Sequence, residues 1–339
     1  MADVMHSKKL ITEKLPRLPV GILAASSIVA PVEFERGLNR LRETGFDPIV
    51  HEQVLKHHFT FAGSDEERAG AFYAYAKDPR FFVLWMARGG YGAQRLLPLL
   101  DQLTEQQGIP RKKLLVGYSD VTVLHEYVRT RWGWSTLHAP MPSASNFREL
   151  ADDEYAAITS YIRSKPAAPP WANATLSWLT PPPPTTLQAE LIGGNLSLWA
   201  SLAGTPYAQP GAGKIIFLED IDEAYYRIDR MMIQLEQTGA FDGAAAIILG
   251  DFTNCKDENN TRLASEGSEE RVPLRKTFER DEAFDHIFAQ LGNRLGVPIA
   301  QGLPVGHGPH YAPLPLGAQY QLTPGGQLQL LQWDWLRNH

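Results

Sequence analysis

Short apolar runs alternate with segments of helical period through the first half of the chain, and this alternation constrains the fold more than any other feature. Residues 20–25 form one apolar run, and residues 33–43 then place Phe34, Leu38 and Leu41 on one helical face. A weaker run at 48–50 precedes a helix capped by Ser64, whose first turn carries Glu66 and Glu67 to complement the helix dipole. The apolar run 81–86 ends in Arg88-Gly89-Gly90-Tyr91-Gly92, residues 94–100 are helical, and 114–116 are apolar again. Strands separated by helices of this length pair in parallel, which predicts a layered α/β domain. In such sheets ligands bind beyond the carboxyl ends of the strands, and the Gly89-Gly90 loop falls at that edge.

The same edge holds a serine. In Leu114-Leu115-Val116-Gly117-Tyr118-Ser119-Asp120-Val121 an apolar strand ends at a glycine, and a helical pattern through Leu124 and Val128 starts directly after Ser119. A serine on such a turn projects its hydroxyl from the sheet edge, beside the free N–H groups of the next helix. The competing reading is an ordinary helix cap, and Val121 stands where a G-x-S-x-G elbow would have its second glycine.

A proline-rich stretch between Ser164 and Thr186, with Pro181 to Pro184 at its end, cannot sustain a helix or a central strand. It predicts a domain at 1–165, an extended connector at 166–186 and a second domain at 187–339. The second half continues with a run at 187–192, a helix opened by Gly193-Gly194-Asn195, and a buried strand at 214–218 ending in Glu219-Asp220. Further expected elements are a helix at 226–235, a strand at 244–249, an exposed polar loop at 254–271, a helix at 281–295 and a strand at 297–300 leading into Gly306-His307-Gly308.

A net charge of −6 argues against nucleic acid and anionic membrane as partners. The single cysteine, Cys255, excludes an internal disulfide and fits a reducing compartment. Residues 1–16 contain no apolar core of a signal peptide, so a cytoplasmic protein is expected. There is no H-E-x-x-H, no C-x-x-C, no phosphate loop and no G-x-G-x-x-G, so neither a metal nor a nucleotide cofactor is expected.

A serine nucleophile needs a base, and the base needs an orienting acceptor. His125 is six residues past Ser119 on one helix, and His138 reads as a core histidine in an apolar segment. His307 stands between glycines in a loop after a strand, where an imidazole can approach another domain. Glu219 closes an apolar strand, which suits a partly buried carboxylate reaching a histidine; a surface turn or helix cap is the alternative.

Taken together, Ala87-Arg88-Gly89-Gly90-Tyr91-Gly92, Gly117-Tyr118-Ser119-Asp120-Val121-Thr122, Gly193-Gly194-Asn195-Leu196, Leu218-Glu219-Asp220, Tyr226-Arg227-Ile228-Asp229-Arg230, Gly306-His307 and Leu314-Pro315-Leu316-Gly317 resemble the LD-carboxypeptidase family. The resemblance runs in family order from Val20 to Leu322. It implies an N-terminal α/β domain with a parallel sheet like that of class I glutamine amidotransferases, and a smaller β-rich C-terminal domain. It also implies a Ser119–Glu219–His307 triad in the cleft between them, and a homodimer. The backbone N–H groups of Asp120 and Gly90 would form the oxyanion hole. Arg88 is the candidate for the substrate's free carboxylate, and Asn195 is grouped with the substrate-binding residues. The implied substrate is a murein tetrapeptide that loses its terminal D-alanine during peptidoglycan recycling. The alternative is a peptidyl- or aminoacyl-adenylate amide, as in the microcin C7 immunity branch.

Overall fold

The computed structural model describes residues 17–144, 147–166, 170–256 and 280–337. Most of the polar loop expected at 254–271, and the N-terminal 16 residues, lie outside the described residues.

The first half alternates as its pattern predicts: β1 (Leu18–Leu23), α1 (Pro31–Glu43), β2 (Phe46–Val50), α2 (Asp65–Lys77), β3 (Val83–Met86), α3 (Leu97–Gln107), β4 (Leu114–Gly117), α4 (Thr122–Trp132), β5 (Ser135–His138) and α5 (Asp152–Ile162). Local chemistry sets several boundaries. Ser64 and Glu67 form a reciprocal capping box at the start of α2, and Gly133 closes α4 in the left-handed region. The helix expected at 94–100 begins instead as a 3-10 turn, Ala93–Leu96, and becomes α-helical only from Leu97, with Pro98 in its first turn.

The second half contributes β6 (Ser177–Trp178), β7 (Leu187–Asn195), α6 (Leu196–Ser201), β8 (Ile215–Ile221), α7 (Tyr225–Gln237), β9 (Ala246–Thr253), α8 (Arg280–Leu295), β10 (Ile299–Gln301), β11 (Leu314–Leu316), β12 (Ala318–Leu322), β13 (Leu328–Gln332) and α9 (Asp334–Arg337). Two features differ from the expected pattern. The proline-rich stretch supplies β6, which pairs with β10, and buries Trp171, whose indole N–H donates to the Pro313 carbonyl. Gly193 and Gly194 belong to the end of β7, and the helix starts only at its cap, Asn195.

The first sheet has the order β11-β5-β4-β3-β1-β2. Strands β1 to β5 are parallel, while β11 joins antiparallel to β5 from the far end of the chain. The sheet is therefore mixed. Because β1 lies between β2 and β3, the order reverses there and opens a crevice at the carboxyl ends of β1 and β3. The second sheet runs β13-β12-β7-β8-β9-β10-β6, with β7 to β10 parallel and antiparallel strands on both sides. One apolar core spans the first sheet and one face of the second, from Val20 and Trp85 through Phe217, Ile248 and Leu314. The other face of the second sheet is covered by α6, α7 and α8 around Ile216, Ile228 and Phe288. The carboxyl ends of β4 and β8 consequently meet at the seam between the halves.

Candidate active site

The serine turn is backbone-strained. Ser119 has a φ of 61°, a left-handed conformation that side-chain-bearing residues seldom adopt. It opens a 3-10 turn, Ser119–Val121, that runs directly into α4. Gly117 allows this turn to close, because a Cβ there would sit 2.9 Å from Val121 Cγ1.

The glycine loop after β3 lies against the serine. A Cβ on Gly89 would come within 2.9 Å of Ser119 Cβ and 3.0 Å of its hydroxyl. The sequence pattern pointed to the Gly89-Gly90 loop and to Gly90 as its N–H donor; Gly89 is the member whose Cα faces Ser119. Gly90 has a φ of 105° and packs on Ser27, four residues past the end of β1, whose hydroxyl accepts the Tyr91 N–H at 3.1 Å. The Asp120 carboxylate is buried and accepts the Ala93 N–H at 2.8 Å, which ties the serine turn to the loop. Arg68, fully buried, donates to the carbonyls of Ala25 and Gly92 and holds the loop from the other side. Arg88 is half-buried and its guanidinium donates to the Ile28 carbonyl.

The second half delivers the acid and the imidazole through a defect in its sheet. Between β8 and β9 the register shifts, so that Gly250 and Asp251 together oppose Glu219. Bulges of this kind re-aim side chains at strand ends. The missing side chain at Gly250 admits the Val305 carbonyl, which accepts the Asp251 N–H at 2.9 Å. The chain following Val305 is thereby docked over Glu219, and His307 Nδ1 lies 2.6 Å from Glu219 Oε2. An ionised carboxylate only accepts, so Nδ1 carries the hydrogen and Nε2 is left with its lone pair. Glu219 has 0% side-chain exposure and His307 has 11%.

Burial alone would raise the Glu219 pKa, but His307 and then His138 outweigh it and hold the carboxyl well below the usual range. Burial opposes the charged imidazole of His307, yet Glu219, with Asp220 and Asp251, carries its pKa above the ordinary value. Asp220 and Asp251 are each pushed up to about 6, by burial first and by the charge of Glu219 second.

Tyr118 connects the halves. Its ring packs 4.7 Å from the His307 ring and 5.7 Å from that of His138, so the residue before Ser119 touches the imidazole delivered by the second half. His138 is buried, as a core histidine should be, but among the described residues its Nε2 has no hydrogen-bond partner, and it lies 3.7 Å from Glu219 Oε1. His125 is buried under the turn with Nε2 3.0 Å from the Gly117 carbonyl, and burial lowers its pKa to about 3. Asn195 is committed internally: its side-chain oxygen caps α6 and its amide donates to Asp220 at 3.0 Å.

Helix α4 sets the spacing between the halves. Thr122 and Glu126, one turn apart, accept the N–H groups of Asn195 at 3.0 Å and Gly193 at 3.2 Å. The two glycines have φ of 113° and 145°, and a Cβ on Gly193 would collide with the Phe217 carbonyl.

Models of the LD-carboxypeptidase N-terminal and C-terminal domains match residues 20–139 and 188–322. The chain belongs to the LD-carboxypeptidase family. A Streptomyces coelicolor relative is 36% identical over 84% of this chain and 90% of its own length. The crystal structure of muramoyltetrapeptide carboxypeptidase from Oxalobacter formigenes superposes with a TM-score of 0.70 at 27% identity, covering 92% of this chain and 97% of that one. The microcin C7 self-immunity protein MccF of Escherichia coli is 24% identical over 81% of this chain and 88% of its own. In this LD-carboxypeptidase family member, the family-matched segments contain the serine turn, the glycine loop and Glu219 with His307.

Proposed function

We propose that the protein is a serine LD-carboxypeptidase that removes the terminal D-alanine from murein tetrapeptides. The observation that carries this reading is the buried Glu219–His307 pair, 2.6 Å apart, beside the strained turn that presents Ser119. His307 Nε2 takes the Ser119 proton as the hydroxyl oxygen attacks the scissile carbonyl, and Glu219 holds the tautomer and balances the imidazolium. The N–H groups of Asp120 and Gly90 receive the oxyanion, each donor being worth ~3 kcal/mol in the transition state. The imidazolium then protonates the leaving D-alanine nitrogen. Water, deprotonated by the same imidazole, resolves the acyl-enzyme.

Arg88 receives the free carboxylate of the substrate with donors other than the one held by Ile28, since a guanidinium carries five. Asn195 acts one step back from the substrate, through Asp220 and the start of α6. A cytoplasmic homodimer completes the reading. It is supported by the lone cysteine and by the family; among the described residues, no helix is long and apolar enough to cross a membrane.

Defined muropeptides ending in D-alanine, or in its amide, test the proposal by mass spectrometry of the products. Loss of one alanine from the acid, with slow turnover of the amide, is the expected result. Turnover of an aminoacyl sulfamoyl adenylate but of no murein peptide would transfer the assignment to the MccF-type substrate.

A further inference from the structure

The Glu219 carboxylate has two oxygens, and only one of them is accounted for by His307. Among the described residues its Oε1 is buried without a hydrogen-bond partner, and so is His138 Nε2, 3.7 Å away. Two unpartnered polar atoms facing each other in the interior are costly, and a hydrogen bond between them removes that cost. His138 is anchored from several sides. It ends β5, pairs with Leu314 of β11, and sets its ring edge-on to Tyr118 and to Phe217, 5.5 Å away.

We propose that His138 is a positioning residue for hydrolysis: its Nε2–H holds the second oxygen of Glu219, so that histidines from both halves grip one carboxylate. The 3.7 Å separation is just beyond hydrogen-bond reach, and catalytic hydrogen bonds of this kind tighten as the transition state forms. Because His138 lies in the first half and Glu219 in the second, the same contact aligns the Glu219–His307 pair with Ser119. The other titratable groups around this pair are Asp220 on β8, Asp251 on β9, His125 on α4, Tyr118 and Tyr311. Losing a donor on Oε1 concentrates the carboxylate's charge on His307, so the acid limb of the pH–rate profile should move to higher pH.

The inference rests on Ser119 being the nucleophile, and a readout independent of the peptide keeps the two claims separable. The rate of Ser119 modification by a fluorophosphonate is measured against pH in wild type, H138L, H138Q and H138N, alongside tetrapeptide hydrolysis. Leucine fills the site without a donor. Glutamine places an N–H where Nε2 stands, and asparagine places it too short to reach. H138L and H138N should react about ten- to a hundredfold more slowly, the worth of one charge-assisted hydrogen bond, with the acid limb moved up and the peptide KM unchanged. H138Q should recover most of the rate. Equal impairment of H138Q and H138N, with melting curves like wild type, overturns the proposal, and so does an unshifted pH profile in H138L. If H138L does not fold, H138Q against H138N decides. Wild-type protein inert to the phosphonate would remove the Ser119 assignment, and this role with it.

Discussion

At the residue scale the site depends on conformations and charges that its residues would not adopt alone. Ser119 holds a left-handed backbone, which for a side-chain-bearing residue costs about 1–2 kcal/mol. Ser119→Gly and Ser119→Ala should both lose at least about a thousandfold in kcat/KM, as removal of a hydrolytic serine does. The glycine variant should nevertheless melt higher than the alanine variant, by about 1 kcal/mol in stability. Turnover assays and thermal melts of the pair check this; an alanine variant at least as stable as the glycine variant would contradict a strained turn. Asp251 belongs to the same scale. Burial and Glu219 raise its folded pKa to about 6, above the ~3.9 of an unfolded aspartate. Between these values the folded state binds more protons than the unfolded one, so this contribution to stability is present below about 4 and is lost as pH rises through about 6. Asp251→Asn should therefore raise the melting temperature at pH 8 and leave it nearly unchanged at pH 4. Melting curves at both values decide, and a larger gain at pH 4 would reverse the sign.

At the element scale, turns and loops bring the chemistry together, and glycines set how close they come. Gly89 has an ordinary φ, so alanine there costs the backbone little, but its Cβ would lie 2.9 Å from Ser119 Cβ and 3.0 Å from the hydroxyl. Gly89→Ala should lower kcat/KM about a hundredfold, the usual penalty for a displacement near 1 Å, with a melting temperature within a few degrees of wild type. Full activity in the variant would place the glycine loop away from the reacting hydroxyl. The β8–β9 bulge is the second such device. It turns Glu219 toward the loop after Val305 and makes room for that loop at Gly250, so one irregularity positions both the acid and the imidazole.

At the scale of the whole molecule, the halves are interlocked. Strand β11 comes from the far end of the chain and closes the β5 edge of the first sheet, and a single core runs through both halves. A fragment ending at Lys165 would expose the β5 edge and the apolar face that meets Phe217 and Leu314. Exposed edges of this kind template aggregation. The fragment should be insoluble or aggregated on size-exclusion chromatography; a monodisperse monomer with cooperative melting would show that the first half needs no closure by β11. Arg129, bonded to Glu126 at 2.6 Å and Glu190 at 2.7 Å, ties α4 to β7 and so fixes the distance from Ser119 to the second sheet.

The alternation of apolar runs with helical segments determined the α/β class, and the capping box at Ser64 determined where α2 begins, because these signals act within a few residues of their source. The serine turn was legible for the same reason: strand, glycine, serine and helix are contiguous. Glu219 and His307 could be nominated from their loops, but no local signal brings together residues 88 positions apart. Tertiary structure decided their contact through the register shift between β8 and β9, which depends on how two strands pair and not on the composition of either. It also decided that His138 stands beside Glu219, that β11 enters the first sheet, and that the side chain of Asn195 is spent on Asp220 and a helix cap. A side chain's neighbours across a seam follow from the packing of whole sheets, and the pattern along one strand carries no record of them.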